Sequence, residues 1–402
     1  MVNKIFSLYH YIWAWIGSVI YGHPSRKITL IGVTGTKGKS TTVELIGYLL
    51  KENGFKVATL GSAAKRIGDQ VFPGPKNTMP GRSQIQKFLK EAVLANCTHA
   101  VIEVSSQGVV QYRDRFLDWD VGVFLNISPE HVEAHGSFEN YKAAKLRFFK
   151  TVTESSKSKK YLVVNMEDAA KGEFRNQAGV GAEAVDFYPN KFAVEHQGWK
   201  GNWIGTGFNL WNAAAAEVVG KIFGLKNLEI LKDFSGVRGR FEIVQREPFF
   251  VVVDYAHTPN SLTALYKEVK ENWLKPGGKI IGVLGSAAGG RDVWKRPEMG
   301  RIAAEFCELA IVTNEDPFEE DPQSIIEQVA AGCVLNEGNK LKEVRKILDR
   351  REAIRAALLA ARSGDAVVLS GKGSESSIRV AGGKSILWNE RQVAEEILAE
   401  VK

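Results

Sequence analysis

The sequence predicts an α/β fold in two parts: a central domain on a mainly parallel sheet, then a smaller C-terminal Rossmann-like α/β domain. Three observations carry this. Nearly unbroken apolar runs of strand length alternate with helix-length amphipathic stretches, the pattern of parallel strands buried on both faces. The first run feeds a glycine turn and then a helix, in Thr29–Thr42, TLIGVTGTKGKSTT. After Phe234–Arg240, FSGVRGR, the alternation starts afresh.

Size and composition agree. A chain of 402 residues has room for two or three domains with ample cores. Its 44% hydrophobic and 25% charged residues are those of a globular protein. The net charge of +7 is modest for this length and suits anionic substrates such as nucleotides. No RNA- or DNA-binding signature accompanies it, so no nucleic-acid partner is expected. Cys97, Cys307 and Cys333 are scattered, without metal or disulfide-framework spacing, which fits a reduced cytoplasmic setting.

Residues 1–26 form the first segment. Within it, residues 5–21, IFSLYHYIWAWIGSVIY, are aromatic-rich and apolar, with Lys4 before and Arg26 and Lys27 after. The run is slightly short for a spanning helix, and no small-residue cleavage site follows it. Three roles remain open: a helix packed on the next domain, an interfacial helix lying on a membrane surface, or an anchor.

The central domain, residues 27–238, opens with a strand at Ile28–Val33 and a helix at Ser40–Lys51. Val57–Leu60 is a strand, followed by a loop through Pro73, Pro75 and Pro80, and a helix at Ser83–Leu94. His99–Val104, Val121–Asn126 and Tyr161–Asn165 are apolar strands. Phe138–Lys150 and Phe208–Gly224 are helical. The C-terminal domain, residues 239–402, places strands at Phe250–Asp254, Ile280–Leu284, Leu309–Thr313 and Ala366–Leu369. Its helices are Ser261–Trp273, Met299–Cys307, Pro322–Ala331 and Arg351–Arg362. It lacks a GxGxxG turn.

In such sheets, active sites lie beyond the carboxyl ends of strands. The glycine turn is the strongest candidate. Gly35 and Gly38 let the backbone bring N–H groups to one point, at the positive end of the following helix. Lys39 adds a charge, and Ser40 or Thr41 a hydroxyl for Mg²⁺. Val33 stands where the usual phosphate-loop pattern has its first glycine. Glu103 ends another strand and can hold Mg²⁺ or orient an attacking group. NISPEHVEAHG, Asn126–Gly136, puts His131 between Glu130 and Glu133 after an apolar strand, without zinc spacing. On the Phe138–Lys150 helix, Phe138, Tyr141, Leu146 and Phe149 can face a core. Lys145 falls on Tyr141's face, where a lysine ordinarily snorkels to solvent. Buried near metal ions instead, it needs a partner or a modification.

The C-terminal half carries polar loops at successive strand ends, which argues for one binding face. They are Asp254, Tyr255 and His257; then Asp292, Lys295 and Arg296; then Glu315, Asp316 and Pro317; then GKGSE, Gly371–Glu375.

Assembled in order, VTGTKGKSTT, IEVSSQG, NISPEHVEAHGSFENYKAAK, FNLWN, GRFE, VVDYAHTP, GGRDVWKRPEMG, TNEDP and GKGSE make the chain resemble the Mur ligase family of ATP-dependent amide-forming enzymes. The match runs from about Lys27 to the C-terminus. VVQYR, YKAAK and GKGSE favour the branch that adds the third amino acid of the peptidoglycan stem peptide. The resemblance implies that ATP phosphorylates the acceptor's terminal carboxylate. The incoming amine then attacks the acyl phosphate, and phosphate leaves from a tetrahedral intermediate.

Residue by residue, the resemblance implies an ATP site at Gly35, Thr36, Lys37, Gly38, Lys39, Ser40 and Thr41, completed by Asn209, Arg240, Asp254 and His257. Lys39 contacts the β/γ-phosphates. Ser40, Thr41 and Glu103 serve the first Mg²⁺, and His131 the second. Lys145 matches the lysine that is carbamylated in this family, so that a cation becomes an anion able to position Mg²⁺. Asn77, Thr78, Ser105, Gln111 and Arg113 match positions that hold a muramoyl-dipeptide. Arg291, Asp316, Gly371 and Glu375 match the pocket for the free amino acid. The expected catalytic set is Lys39, Glu103, His131 and Lys145.

Departures are specific. No counterpart of the family's N-terminal UDP-binding domain precedes the glycine turn; the aromatic segment stands there. Gln107 replaces the usual histidine after EVSS, and Met79 a second threonine. Where diaminopimelate-adding members read DNPR, this chain reads EDPF, with Phe318 for the arginine that would grip a second carboxylate. Glu319, Glu320 and Asp321 nearby would suit a cationic side chain such as lysine's. The expectation is a cytoplasmic, monomeric ligase, with peripheral contact at the inner face of the membrane through residues 5–21. Polyglutamate-, cyanophycin- or folate-type ligases, or a nucleotide-binding scaffold without turnover, are the alternatives.

Overall fold

A computed structural model describes residues 2–401 apart from 76, 82, 130–134, 180, 200, 201, 289–292, 336 and 337, with side chains from residue 8 onward. The chain divides into two units, Met1–Ser235 and Gly236–Lys402, each with its own sheet and core.

The first unit opens with helix α1 (Val2–Ile20). Strand β1 (Thr29–Thr34) leads into α2 (Lys39–Glu52), then β2 (Val57–Leu60), β3 (Ala64–Ile67), β4 (Gln70–Pro73) and α3 (Gln84–Leu94). Next come β5 (His99–Glu103), α4 (Ser106–Val110), β6 (Val121–Phe124), α5 (Phe138–Thr153) and β7 (Tyr161–Asn165). The unit closes with α6 (Lys171–Arg175), β8 (Glu183–Phe187), α7 (Pro189–Glu195) and α8 (Gly207–Ile222). The sheet order is β4-β3-β2-β5-β1-β6-β7-β8. It is parallel from β2 to β8, while β3 and β4 are antiparallel.

The apolar runs explain this order. Leu30, Ile102, Phe124, Leu162 and Val164 are all buried in one core with Trp119, Phe148 and Phe174. Phe124 stacks on Phe174 at 3.6 Å between ring centroids. Strand β1 is therefore central, and its register sets the site. Val33 lies beside Glu103, and Thr34 beside Phe124, so the carboxyl ends of β1, β5 and β6 finish level.

The second unit runs β9 (Glu242–Gln245), β10 (Phe250–Asp254), α9 (Pro259–Asn272), β11 (Ile280–Leu284), α10 (Lys295–Phe306), β12 (Leu309–Thr313) and α11 (Pro322–Ala330). It continues with β13 (Glu343–Ile347), α12 (Arg350–Ala360), β14 (Ala366–Ser370), the hairpin β15 (Ser377–Val380) and β16 (Lys384–Leu387), and α13 (Glu390–Val401). The order β13-β12-β11-β14-β10-β9 is parallel except for β9, which is antiparallel at the edge. A buried ion pair ties α12 to α13: Arg350 donates from Nε to Glu390 Oε2 at 2.9 Å and from Nη2 to Oε1 at 2.6 Å.

The sequence-based expectations and the structure differ at the edges. The proline-containing stretch expected as a loop begins with the β3–β4 hairpin. Pro73 ends the outermost strand, where a missing N–H leaves no ladder partner unsatisfied. Strand β4 is exposed along its length, so no apolar alternation marks it. The exposed or half-buried β8, β9, β13, β15 and β16 escaped for the same reason.

Candidate active site

In the first unit the glycine turn is templated by Asn126. Its Oδ1 accepts from the N–H groups of Thr36 at 3.1 Å and Lys37 at 2.9 Å, and its Nδ2 donates to Lys37 O at 3.2 Å. These two N–H groups are thus turned inward rather than toward a shared point in front of the loop. What the loop presents is the start of α2. Its N-cap, Gly38, sits at φ 82° and supplies no capping side chain. An uncapped N-terminus of this kind suits an anion. A Cβ at Gly38 would run into Asn212 Oδ1, which also accepts from Thr42 Oγ1 at 3.3 Å.

Lys39 Nζ donates to Thr36 O at 3.0 Å and stands 4.0 Å from Glu103 Oε1. Glu103 is 3% exposed, and its Oε2 accepts from Ser40 Oγ at 2.9 Å, Ser62 N at 2.9 Å and Ser62 Oγ at 3.2 Å. Buried Thr41 lies beside Ser40 in the first turn of α2. A carboxylate with hydroxyls beside an uncapped helix start is a hard oxygen donor set of the kind Mg²⁺ shares with phosphates and water. Ser62 had no motif to reveal it; it reaches Glu103 only because β2 and β5 are neighbours.

Lys145 does not snorkel. It is 1% exposed, its Nζ donates to Gly35 O at 2.7 Å and lies 4.7 Å from the centre of the Tyr141 ring. The Tyr141 hydroxyl meets Thr36 Oγ1 at 3.0 Å, so the lysine and tyrosine of one helix face both hold the turn. His131, Glu130 and Glu133 lie outside the described residues. His135 is placed: its Nε2 meets Ser106 Oγ at 3.1 Å, and burial together with the Lys145 charge lowers its pKa. Among the described residues, no group of three or more His, Cys, Asp or Glu side chains forms a metal cage.

Of the remaining first-unit candidates, Ser105, Gln111 and Arg113 share one neighbourhood around Met79 and Gly108. Ser105 caps α4 by accepting from Gly108 N at 3.1 Å. Arg113 is held by Met79 O and by Gln111 Oε1, while buried Met79 packs beneath Gly108. Asn77 is exposed and Thr78 half-buried. Asn209 is buried in the first turn of α8 and donates to Trp203 O at 3.1 Å.

In the second unit, Asp254 organises its own loop. Oδ2 accepts from Phe241 N at 2.6 Å and Oδ1 from Ala256 N at 2.7 Å. The Arg240 guanidinium lies 4.4 Å from the centre of the Tyr255 ring, and the His257 ring packs against the same ring with centroids 4.5 Å apart. Asp316 and Glu375 converge on Lys372, whose Nζ donates to them at 2.8 and 2.6 Å. Gly371 precedes it at φ 105°. Arg291 and Asp292 lie outside the described residues. Sequence reasoning missed Lys372 as a functional residue, although it stands inside GKGSE. Glu315, named there only as part of a polar loop, is buried with Oε2 unpaired, and burial pushes its pKa up to about 7 against the opposing charges of Lys372, Arg350 and Lys295.

The three acids beside Phe318 are already engaged. Glu320 binds Arg296 Nη2 at 2.8 Å, Glu319 accepts from Gly382 N at 2.9 Å, and Asp321 caps α11. Phe318 itself is 40% exposed at φ 47°.

A glycine turn whose helix opens beside a hydroxyl–carboxylate set, followed by a second, mainly parallel sheet with its own acid–lysine cluster, is an architecture of two α/β units, each with polar groups at its strand ends. The chain belongs to the Mur ligase family: residues 33–229 match the Mur ligase middle domain, and residues 239–373 the Mur ligase, glutamate ligase domain. It is 35% identical to a UDP-N-acetylmuramyl-tripeptide synthetase of Roseiflexus sp. (strain RS-1), over 96% of this chain and 81% of that one. It is also 35% identical to a UDP-N-acetylmuramoyl-L-alanyl-D-glutamate--2,6-diaminopimelate ligase of Caldanaerobacter subterraneus subsp. tengcongensis, with the same coverages of 96% and 81%. A solved structure of a ligase of the latter name superimposes with TM-score 0.61 at 26% identity, covering 93% of this chain and 79% of that one. The E. coli FolC structure shares the fold, with TM-score 0.64 at 15% identity over 96% of this chain and 92% of that chain. The protein is an ATP-dependent ligase of a family that works with ATP and Mg²⁺.

Proposed function

We propose that this chain joins a free amino acid to the terminal carboxylate of a muramoyl-dipeptide, a peptidoglycan precursor, through an acyl phosphate. The observation that carries this is the Ser40–Glu103–Ser62 oxygen set beside Lys39 at the uncapped start of α2. It supports a site where an anion is held and its charge neutralised, the main requirement of phosphoryl transfer.

In this reading Lys39 and the first turn of α2 hold the β/γ-phosphates. Ser40, Thr41 and Glu103 hold Mg²⁺, with His131 and Lys145 at a second ion; bound there, Mg²⁺ neutralises developing phosphate charge. Lys145 acts as its carbamate, an anion at the end of a buried stem. Ser105, Gln111, Arg113, Asn77 and Thr78 place the acceptor carboxylate, and Asn209, Arg240, Asp254 and His257 serve ATP. Arg291, Asp316, Gly371 and Glu375 receive the amino acid, whose uncharged amine attacks the acyl carbon and displaces phosphate. Phe318 offers no second-carboxylate grip, so diaminopimelate is not the preferred amino acid. The protein works as a monomer in the cytoplasm at the inner face of the membrane. No described helix is long and apolar enough to cross a membrane, but α1 exposes Leu8, Ile12, Trp15, Val19 and Ile20 along its length.

The deciding experiment is phosphate release by the purified full chain. Release must require ATP, a muramoyl-dipeptide and an amino acid together. A broad panel of UDP-linked and lipid-linked acceptors and amino acids without acceptor-dependent release would reject the function.

A further inference from the structure

Helix α1 does more than cover the first unit. The hydroxyl of Ser83 donates to Trp13 O at 3.0 Å, and Tyr11 packs edge-on against Tyr112 and Phe116, with ring centroids 5.5 and 5.0 Å apart. Between α1 and these segments runs a groove. His10 and Trp13 line it from the helix, and Gln86, Gln111, Arg113 and Arg115 from across it.

Two residues that line the groove carry buried polar atoms that the fold leaves unpaired. Gln86 is 3% exposed; its Nε2 donates to Phe116 O at 2.8 Å, yet its Oε1 has no partner. The Arg113 guanidinium is fixed by Met79 O and Gln111 Oε1, and its Nε is buried without a partner. Arg115 adds a second guanidinium, paired on one nitrogen with Glu154 at 3.1 Å. Buried unpaired polar groups are rare because each forfeits its hydration. The backbone adds a second sign. Ser83, Tyr112 and Phe116 hold φ values of 65°, 54° and 57°, left-handed positions that residues other than glycine seldom occupy. All three are residues that α1 touches.

We infer that α1 is a wall of the acceptor site: the groove receives an anionic group of the acceptor on Arg113 and Arg115, with the Trp13 indole against the neighbouring ring of the same ligand. The acceptor's identity rests on the proposed function; the groove and its anion preference do not. The anion is a phosphate of the carrier or a carboxylate of the sugar-peptide, since both present oxygens that a guanidinium takes in the same way. Trp13 and His10 thereby become specificity-determining residues.

Calorimetric titration of the full chain tests this, with UDP-linked muramoyl-dipeptide and carrier-free muramoyl-dipeptide as probes. Trp13→Ala, which removes the ring contact, and His10→Asp, which puts a like charge beside the bound anion, are each expected to raise Kd about tenfold, while ATP affinity stays within about twofold. His10 is only half-buried, so His10→Asp keeps the test valid if Trp13→Ala unfolds. A loss confined to the UDP-linked probe assigns the anion to the carrier's diphosphate. A loss for both assigns it to the sugar-peptide carboxylate. Unchanged Kd in both variants, or no binding of either probe by the natural chain, overturns the inference. Phosphate release measured in parallel separates the two claims. Turnover with unchanged Kd in the variants removes the groove and leaves the ligase, whereas variant-sensitive binding without turnover does the reverse.

Discussion

Lys145 shows how much one side chain's surroundings decide. On an isolated amphipathic helix its ammonium would reach water; here it is drawn onto Gly35 O beneath the glycine turn. Lys145→Ala is expected to lower kcat by on the order of a hundredfold or more, as loss of a preorganised charge does. Intact-mass spectra in bicarbonate should show one added carbon dioxide on the natural chain and none on the variant; full activity of the variant would dismiss the carbamate. Two buried titratable groups make stability pH-dependent in opposite senses. His99, packed between Phe55 and Phe223, is pushed by burial from 6.5 down to about 4. The unfolded chain therefore takes up a proton that the folded one refuses, and stability is lost as pH falls from 6.5 toward 4. That loss is on the order of 3 kcal/mol, and thermal melts of His99→Phe should show a shallower acid decline than the natural chain. Glu315 is raised from 4.5 to about 7, so the folded state keeps its proton longer and stability falls as pH rises through that window. Glu315→Gln should raise the melting temperature of the ligand-free protein near pH 8 and leave it unchanged near pH 4; equal shifts at both would show a packing effect instead.

At the scale of elements, the start of α2 and the outer face of α1 matter most. Gly38→Ala forces a side chain into the left-handed region and against Asn212. It should cost about 1–2 kcal/mol of stability and weaken ATP binding in the same protein, measured by melting and by nucleotide titration. Normal ATP affinity would show that the helix start is not the phosphate site. Helix α1 offers Trp, Tyr and branched aliphatic residues outward and has no acid in its first turn. The full chain should therefore co-sediment with anionic vesicles less as salt rises, because the basic flank is screened while the apolar contact is not. Trp15→Ser with Ile20→Ser should abolish the sedimentation. Persistence of binding in that double variant would place the contact elsewhere.

At the scale of the whole molecule, each unit hides its reactive groups in its own core. Cys97, Cys307 and Cys333 are all buried and free, and burial raises the thiol pKa, to about 12 for Cys307 and about 11 for Cys333. The native chain should resist thiol reagents and react at all three cysteines only after denaturation; rapid native labelling would contradict this packing. The α/β class, the central glycine turn, Glu103 at a strand end and the acid-bearing loops were legible in the sequence, because buried parallel strands must be apolar throughout and their ends must carry the polar groups. Edge strands were not, since a strand exposed on both faces has no periodic demand on its residues. Nor were the partners: Ser62 on Glu103, Asn126 under the turn, Lys372 between Asp316 and Glu375, and the engagement of Glu319, Glu320 and Asp321 elsewhere. Residue types and their spacing were enough to mark the candidate residues and the strands that carry them, because glycine freedom, charge and apolar run length are local properties. Which of them meet is a matter of the folded chain, because strand order and register bring together positions tens of residues apart that no local signal connects.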